Sequence, residues 1–287
     1  MFALLRSLRK NRRLLTDLVK RDLRARYVGS TMGFFWSVIF PLLNLGVYMF
    51  VFTFVLESKW SKNQPTQETA LLMLAGILVW QSFAETISRS TNTLIENQNL
   101  IQKVVFPSEV LPLYLVISSL INMMIGMAIT LLAVAWFAWI SPPAAIPLED
   151  GVASVVLPRH LGFSYTLLCL PLLVGLQALF TLGYGYFLSA LNLFARDVYH
   201  LIGVGITVWM FMTPIFYPPQ LVVDAGFEWV LQCNPMYWII DSYRLVVVYG
   251  QWPKPPVIAA FAAVGLVVFV LGSTFFMRQK PRFPDLL

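Results

Sequence analysis

Runs free of Asp, Glu, Lys and Arg organise this chain: residues 27–56, 69–84, 110–148, 160–195, 198–223 and 255–277. A helix needs about 20 mostly apolar residues to cross the hydrocarbon core of a bilayer, and each run can hold one. Trimming at Pro, Gly and polar clusters predicts helices at about 33–56, 70–89, 110–140, 163–191, 198–216 and 257–277. Six crossings put both termini on one side. Ahead of the first run, Leu4, Leu8, Leu15, Leu18 and Val19 recur at helical spacing among basic residues. Residues 1–30 are therefore expected to form an amphipathic helix lying flat in the headgroup region.

Two connecting regions carry patterns of their own. In 89–109, Leu94, Ile101, Val104 and Val105 fall on one side of a small helix, about 92–105, that Thr91 or Asn92 would cap and Pro107 would end. A plain connection needs no such face, whereas a helix docking into the groove of a soluble partner does, with Glu96 and Lys103 as its charged positions. The stretch 217–253 contains Pro218, Pro219, Asn234, Pro235 and Pro253 around apolar pieces too short to cross a bilayer. It is expected to form two short helices dipping back into the outer leaflet, since irregular backbone at that depth must be covered by protein or line a watery cavity; the alternative is a loop lying on the membrane.

Composition sets the class. Of the 287 residues 58% are hydrophobic and only 12% charged, with a mean hydropathy of +0.73; a soluble domain carries about 25% charged residues. The chain is an all-α membrane protein, with residues 31–287 expected to form one six-helix transmembrane domain. Its net charge of +6 is unevenly placed: nine basic residues precede residue 27, a distribution suited to anionic lipid rather than nucleic acid. With the amino terminus inside, the cytoplasmic segments hold fifteen Lys and Arg against five on the other side (Lys59, Lys62, Arg159, Arg244 and Lys254). That bias favours cytoplasmic termini. The basic leader is too long, and a small-residue cleavage site is lacking, for the first apolar run to be a cleavable signal.

The chemistry is sparse. Two cysteines 64 positions apart and two solitary histidines, His160 and His200, offer no metal-ligand spacing and no disulfide framework. No GxxxxGK[ST], HExxH or GxSxG occurs, so neither a phosphate-cradling loop nor a hydrolytic motif is present. Charge within the predicted spans is nearly confined to Glu85, which disfavours proton- or sodium-driven transport and points to energy from a partner subunit. The absence of clustered Asp, Glu or His argues against an intramembrane glycosyltransferase. On the first predicted span Trp36, Phe40, Tyr48 and Phe52, with Asn44 among them, follow i+4 spacing. They are either packing and lipid-facing aromatics or a wall along which the C–H faces of sugar rings slide. Gly29 and Gly33 read as a bend between the first helix and the first span.

These pieces resemble a family. Arg21-Asp22-Leu23-Arg24-Ala25-Arg26-Tyr27-Val28-Gly29-Ser30, followed by Gly33 and Trp36, is similar to the opening segment of the permease subunit of ABC-2-type polysaccharide exporters, which move O-antigen, capsule or teichoic acid. Asn99-Leu100-Ile101 with Lys103, Phe106-Pro107 and Leu111-Pro112 resemble the family's cytoplasmic coupling region. Asn192 through Asp197 resembles its second cytoplasmic turn, and Thr213 through Tyr217 with Asn234-Pro235 through Arg244 its extracytoplasmic gate. The resemblance covers nearly the whole chain in order. It implies a homodimer in the bacterial inner membrane, bound to two separate nucleotide-binding subunits that carry ATP and Mg, with no cofactor in this chain. The implied cargo is a polysaccharide on undecaprenyl pyrophosphate. Arg21, Arg24 and Arg26 are placed to meet that pyrophosphate or ordinary anionic lipid. Arg196 and Asp197 are expected to fix their turn by hydrogen bonding, and Asp241 and Arg244, three apart, to pair at the outer gate beside Asn234. An ABC-2 drug or small-lipid efflux permease is the rival that topology leaves open.

Overall fold

The computed structural model describes residues 2–26, 35–55, 66–103, 106–140 and 164–287, and every regular element among them is helical. Val104, Val105, the expected Gly29–Gly33 bend and residues 141–160 lie outside the described residues, as do the side chains of Phe40, Tyr48, Phe52 and Lys103.

The amphipathic leader is two helices, α1 (Phe2–Lys10) and α2 (Arg12–Ala25), meeting at Asn11, whose side-chain amide donates to the Ser7 carbonyl at 2.9 Å. It does not stand apart from the bundle. Leu18 and Val19 are buried because α2 packs along α6 (Val110–Ile140), so part of the apolar stripe is satisfied by protein.

The first predicted span appears as α3 (Trp36–Met49), which runs into a π-helical turn, Phe50–Val55, with Pro41 inside the helix. Among the described residues, four apolar helical stretches are long enough to cross a membrane: Glu68–Glu96, Val110–Ile140, Tyr165–Phe194 and Pro255–Leu286, of 29 to 32 residues. At about 1.5 Å per residue each exceeds the roughly 30 Å of a hydrocarbon core. They contain α4 (Thr66–Glu96), α6, α7 (Leu170–Phe194) and α12 (Pro255–Gln279). Between α7 and α12 stand α8 (Val198–Met212), α9 (Gln220–Asp224), α10 (Glu228–Gln232) and α11 (Pro235–Val247). Helix α8 stops short of the expected residue 216 because Thr213 turns extended and Pro214 has no N–H to continue the ladder. The 217–253 region holds three short helices rather than two.

Helix α4 is the centre of the bundle, packing against α3, α6, α7, α8 and α11. Between α4 and α6 the contact includes a polar pair, with the Ser119 hydroxyl donating to the Ser82 carbonyl at 3.0 Å. Helices α7 and α12 approach closely: Gly183 and Gly272 let the two backbones touch, and a Cβ on either would overlap the other helix. Small residues permit that approach in an apolar bundle where packing, not the exclusion of water, drives association.

A second predicted boundary also moves. Helix α4 does not end near residue 89 but runs to Glu96, so Thr91 and Asn92 cap nothing; the Thr91 hydroxyl donates to the Ile87 carbonyl one turn back. Leu94 and Glu96 belong to the last turns of this long helix. The separate small helix is only α5 (Gln98–Lys103), which begins where the Leu100 and Ile101 amides donate to the Asn97 carbonyl. A polar stretch of Ser, Thr and Asn reads as a connection, yet here it stays helical with Ser90, Thr91 and Thr93 themselves buried and the Thr91 hydroxyl bonded back along the helix.

Candidate functional site

At the end of the bundle that carries α1 and α2, four ionised side chains form a clasp. Arg89 grips Asp22 with both guanidinium nitrogens and reaches Glu85 at 3.1 Å, one turn back on its own helix. Arg26 bonds both oxygens of Glu85, at 2.5 and 3.3 Å, and its Nε lies 3.3 Å from Asp22. The Ser118 hydroxyl of α6 also donates to Asp22. Burial opposes ionisation of Asp22, but the Arg89 and Ser118 hydrogen bonds and the charges of Arg89 and Arg26 outweigh it and hold the carboxyl below the ordinary range. Three helices, α2, α4 and α6, are thus joined by charge-assisted bonds. Arg26, expected to face phosphate, is committed to this clasp. Arg21 and Arg24 remain exposed, beside Lys20 and Asp17 along an open groove.

The same end carries α5. Ile101 is buried and Leu94 fully so, while Glu96 is exposed. The Ile101 side chain therefore serves the packing of α5 onto its neighbours, leaving Gln98, Asn99, Leu100 and Gln102 as exposed positions on this short helix. Just beyond it, Glu109 is fully buried; its carboxylate accepts from Lys280 at 2.5 Å and from the Ser7 hydroxyl. The desolvation that would raise its pKa is overcome by these two hydrogen bonds, and the group sits below its ordinary value. At the turn between α7 and α8, Arg196 and Asp197 are exposed, and neither makes a side-chain hydrogen bond among the described residues. The expected fixing of the turn is done instead by backbone, with Val198 N–H on the Ala195 carbonyl at 3.1 Å and Leu201 N–H on the Asp197 carbonyl at 3.1 Å.

The opposite end is built around Arg244 and Asn234. Arg244 is 2% exposed. Its Nε donates to the Leu72 carbonyl of α4 at 3.0 Å, and its two terminal nitrogens donate to the Pro214 and Ile215 carbonyls at 2.9 Å each. The last two follow the carboxyl end of α8, where the helix leaves carbonyls unpaired and partially negative. These three hydrogen bonds run to carbonyls, and Asp241, the expected partner, acts on Arg244 through its charge. Gly76 makes room: it lies one turn after Leu72, and a Cβ there would stand 2.7 Å from Nη2 of Arg244. Asn234 caps α11, its side-chain oxygen accepting from the Met236 and Tyr237 amides at 3.1 and 3.3 Å and from Trp209 Nε1 at 3.0 Å. Its amide donates to the Thr213 hydroxyl at 2.9 Å.

Aromatic side chains gather at the bundle centre rather than only on the first span. Phe83 lies 5.7 Å from Phe180, stacked, and 5.3 Å edge-on from Trp209, while Phe180 meets Phe261 at 5.2 Å. Of the predicted wall, Trp36 and Asn44 are half-buried; α3 exposes Leu42, Leu43 and Val47. Sequence reasoning missed Asp22, Arg89, Ser118, Glu109 and Gly76. Glu85 and Arg89, four apart at the edge of an apolar helix, were the visible signal for the clasp.

Residues 13–248 match the ABC-2 type transporter family, and the chain belongs to it. It is thus an integral membrane permease subunit, of a family that associates with an ABC ATPase subunit. Its relatives include the O-antigen export system permease protein RfbA of Myxococcus xanthus, 29% identical over 287 residues and 99% of each chain. Two Klebsiella pneumoniae proteins of the same name are 28% and 27% identical over 274 residues, covering 96% of this chain and 95% of theirs.

Proposed function

We propose that this chain is the permease subunit of an ATP-driven exporter that moves lipid-linked, O-antigen-like polysaccharide from the cytoplasm across the bacterial inner membrane. The observation that carries this reading is the end-to-end match to O-antigen export permeases, 99% of both chains for the Myxococcus protein. Two copies work with two ABC nucleotide-binding subunits, which supply ATP and Mg; this chain holds no cofactor or metal. The four long helices, the 36–55 helix and α8 make six crossings, with the α1–α2 end and both termini in the cytoplasm. The exposed apolar faces of α3 (Leu42, Leu43, Val47) and α8 (Leu201, Val204, Val208) suit lipid or the second copy.

Arg21 and Arg24 receive the undecaprenyl pyrophosphate, since they are free of the clasp and guanidinium binds phosphate bidentately. Arg26 acts through Glu85. The ATPase drives the segment containing Leu94, Glu96, Ile101, Lys103 and Val104, with Arg196 and Asp197 at a second exposed turn. Trp36, Phe40, Asn44, Tyr48 and Phe52 line the path of the polymer, and the helices of 217–253, held by Asn234, Asp241 and Arg244, form the outer gate. Depleting the protein while glycan synthesis continues tests this reading. Full-length lipid-linked glycan should accumulate on the cytoplasmic side as the surface polymer disappears. Normal surface glycan with altered drug susceptibility would favour an efflux permease, and loss of capsule or teichoic acid in place of O-antigen would reassign the cargo.

A further inference from the structure

We infer that Glu109 and Lys280 are positioning residues that anchor the far end of the α5 segment, so that a push on α5 is delivered to α6. The inference rests on the proposed reading of α5 as the element the ATPase moves. At one end α5 is fixed by continuity with α4, through the Leu100 and Ile101 amides on the Asn97 carbonyl. At the other end the chain reaches a tight turn, with Ser108 N–H on the Phe106 carbonyl at 2.9 Å and Val110 N–H on the Pro107 carbonyl at 3.0 Å. Glu109 lies in that turn, immediately before α6.

Several elements converge on this one residue. Its buried carboxylate takes Lys280, beyond α12, and Ser7 of α1, while the Tyr186 hydroxyl of α7 donates to its backbone carbonyl at 2.9 Å. The segment after Lys280 closes the arrangement: α13 (Phe283–Leu286) packs on α5, and Phe283, fully buried, meets Phe276 edge-on at 5.1 Å. A cleft of about 610 Å³ opens between these parts, bordered by Ser7, Ile101, Phe106, Lys280 and Phe283. It leaves α5 room to rock while the Glu109 anchor sets the pivot. Without Lys280 the buried carboxylate loses its counter-charge and the turn loses its tether to α12, so that only Ser7 and Tyr186 hold Glu109 and α5 swings on a weakened pivot.

The test uses the complete transporter with its ATPase subunit in proteoliposomes, and O-antigen on undecaprenyl pyrophosphate extracted from producing cells as cargo. In Lys280→Ala the ATPase subunit should stay bound and hydrolysis persist, while glycan translocated per ATP falls about tenfold, the scale of a lost coupling between contacting residues. Glu109→Gln should show the same uncoupling. The exchanged pair, Glu109→Lys with Lys280→Glu, should recover most of the transport per ATP, which a loss of packing alone would not allow. Unchanged transport per ATP in Lys280→Ala overturns the inference, as does an exchanged pair no better than the single variants. The reading beneath it fails separately: if a cross-linker on Gln98→Cys in the otherwise unaltered protein never captures the ATPase subunit, α5 is not the driven element and the anchor has no such role.

Discussion

The two ends of α4 hold arginine in opposite ways. Near its carboxyl end, Arg89 and Arg26 share Asp22 and Glu85, so each cation has two anions within reach and the side chains are 10–36% exposed. Near its amino end, Arg244 is buried and donates to three carbonyls that carry no net charge. Leu72 and Glu85 mark the two sites on one helix, about 20 Å apart at 1.5 Å per residue. A network with interchangeable partners near water can shift its bonds at small cost. A guanidinium fitted to fixed carbonyls cannot, because its planar fork matches that arrangement alone. The first end is suited to movement between α2, α4 and α6, and the second to keeping α4, α11 and the end of α8 in register.

Breaking the caged arginine should produce the largest effect. Arg244→Met removes the donor for three carbonyls at once, and at about 1–3 kcal/mol for each buried acceptor left unmet the loss should exceed about 3 kcal/mol, seen as a fall in melting temperature in detergent. Arg244→Lys should recover only part of it. Next comes Gly76→Ala, which sets a methyl 2.7 Å from the guanidinium in the static structure; overpacking of this kind costs about 1–3 kcal/mol and should leave the clasp unaffected. At the other end, Asp22→Ala and Arg89→Ala should each cost less. Their double-mutant coupling, about 1 kcal/mol in low salt, should shrink as salt rises, whereas the Arg244 effect should not. Equal salt sensitivity at both ends would erase the distinction.

The smallest effect is that of pH. Asp22 and Glu109 have folded pKa values below their ordinary 3.8 and 4.5. Their contribution is therefore complete above those ordinary values and is lost as pH falls through the lower folded ones. Melting temperature should be insensitive to these two groups near neutrality and should drop only in that acid range. Asp22→Asn should flatten part of the drop.

Much of this architecture was legible in the chain. Charge-free runs located α4, α6, α7 and α12 because a long apolar helix leaves an unbroken record in one dimension. The leader was legible for the same reason, through Leu18 and Val19, although its period does not say whether lipid or α6 receives the stripe. The boundary at residue 89 misled because Thr91 and Thr93 suit a cap as well as a buried helix face. Contacts between distant residues were the least legible. Asp22 with Arg89 and Glu109 with Lys280 are pairs set by helix packing, and the Pro214 and Ile215 carbonyls that receive Arg244 depend on where α8 ends.

The central claim is that this permease carries a lipid-linked polysaccharide across the membrane at the expense of ATP. Its most direct test is a protection assay in proteoliposomes holding the permease with its ATPase subunit and undecaprenyl-pyrophosphate-linked O-antigen presented on the outer, cytoplasm-equivalent face. Upon addition of ATP and Mg, the glycan should pass into the lumen and become resistant to an added glycosidase, and Arg21→Ala with Arg24→Ala should slow that passage. Glycan that stays fully accessible while ATP is hydrolysed would contradict the account.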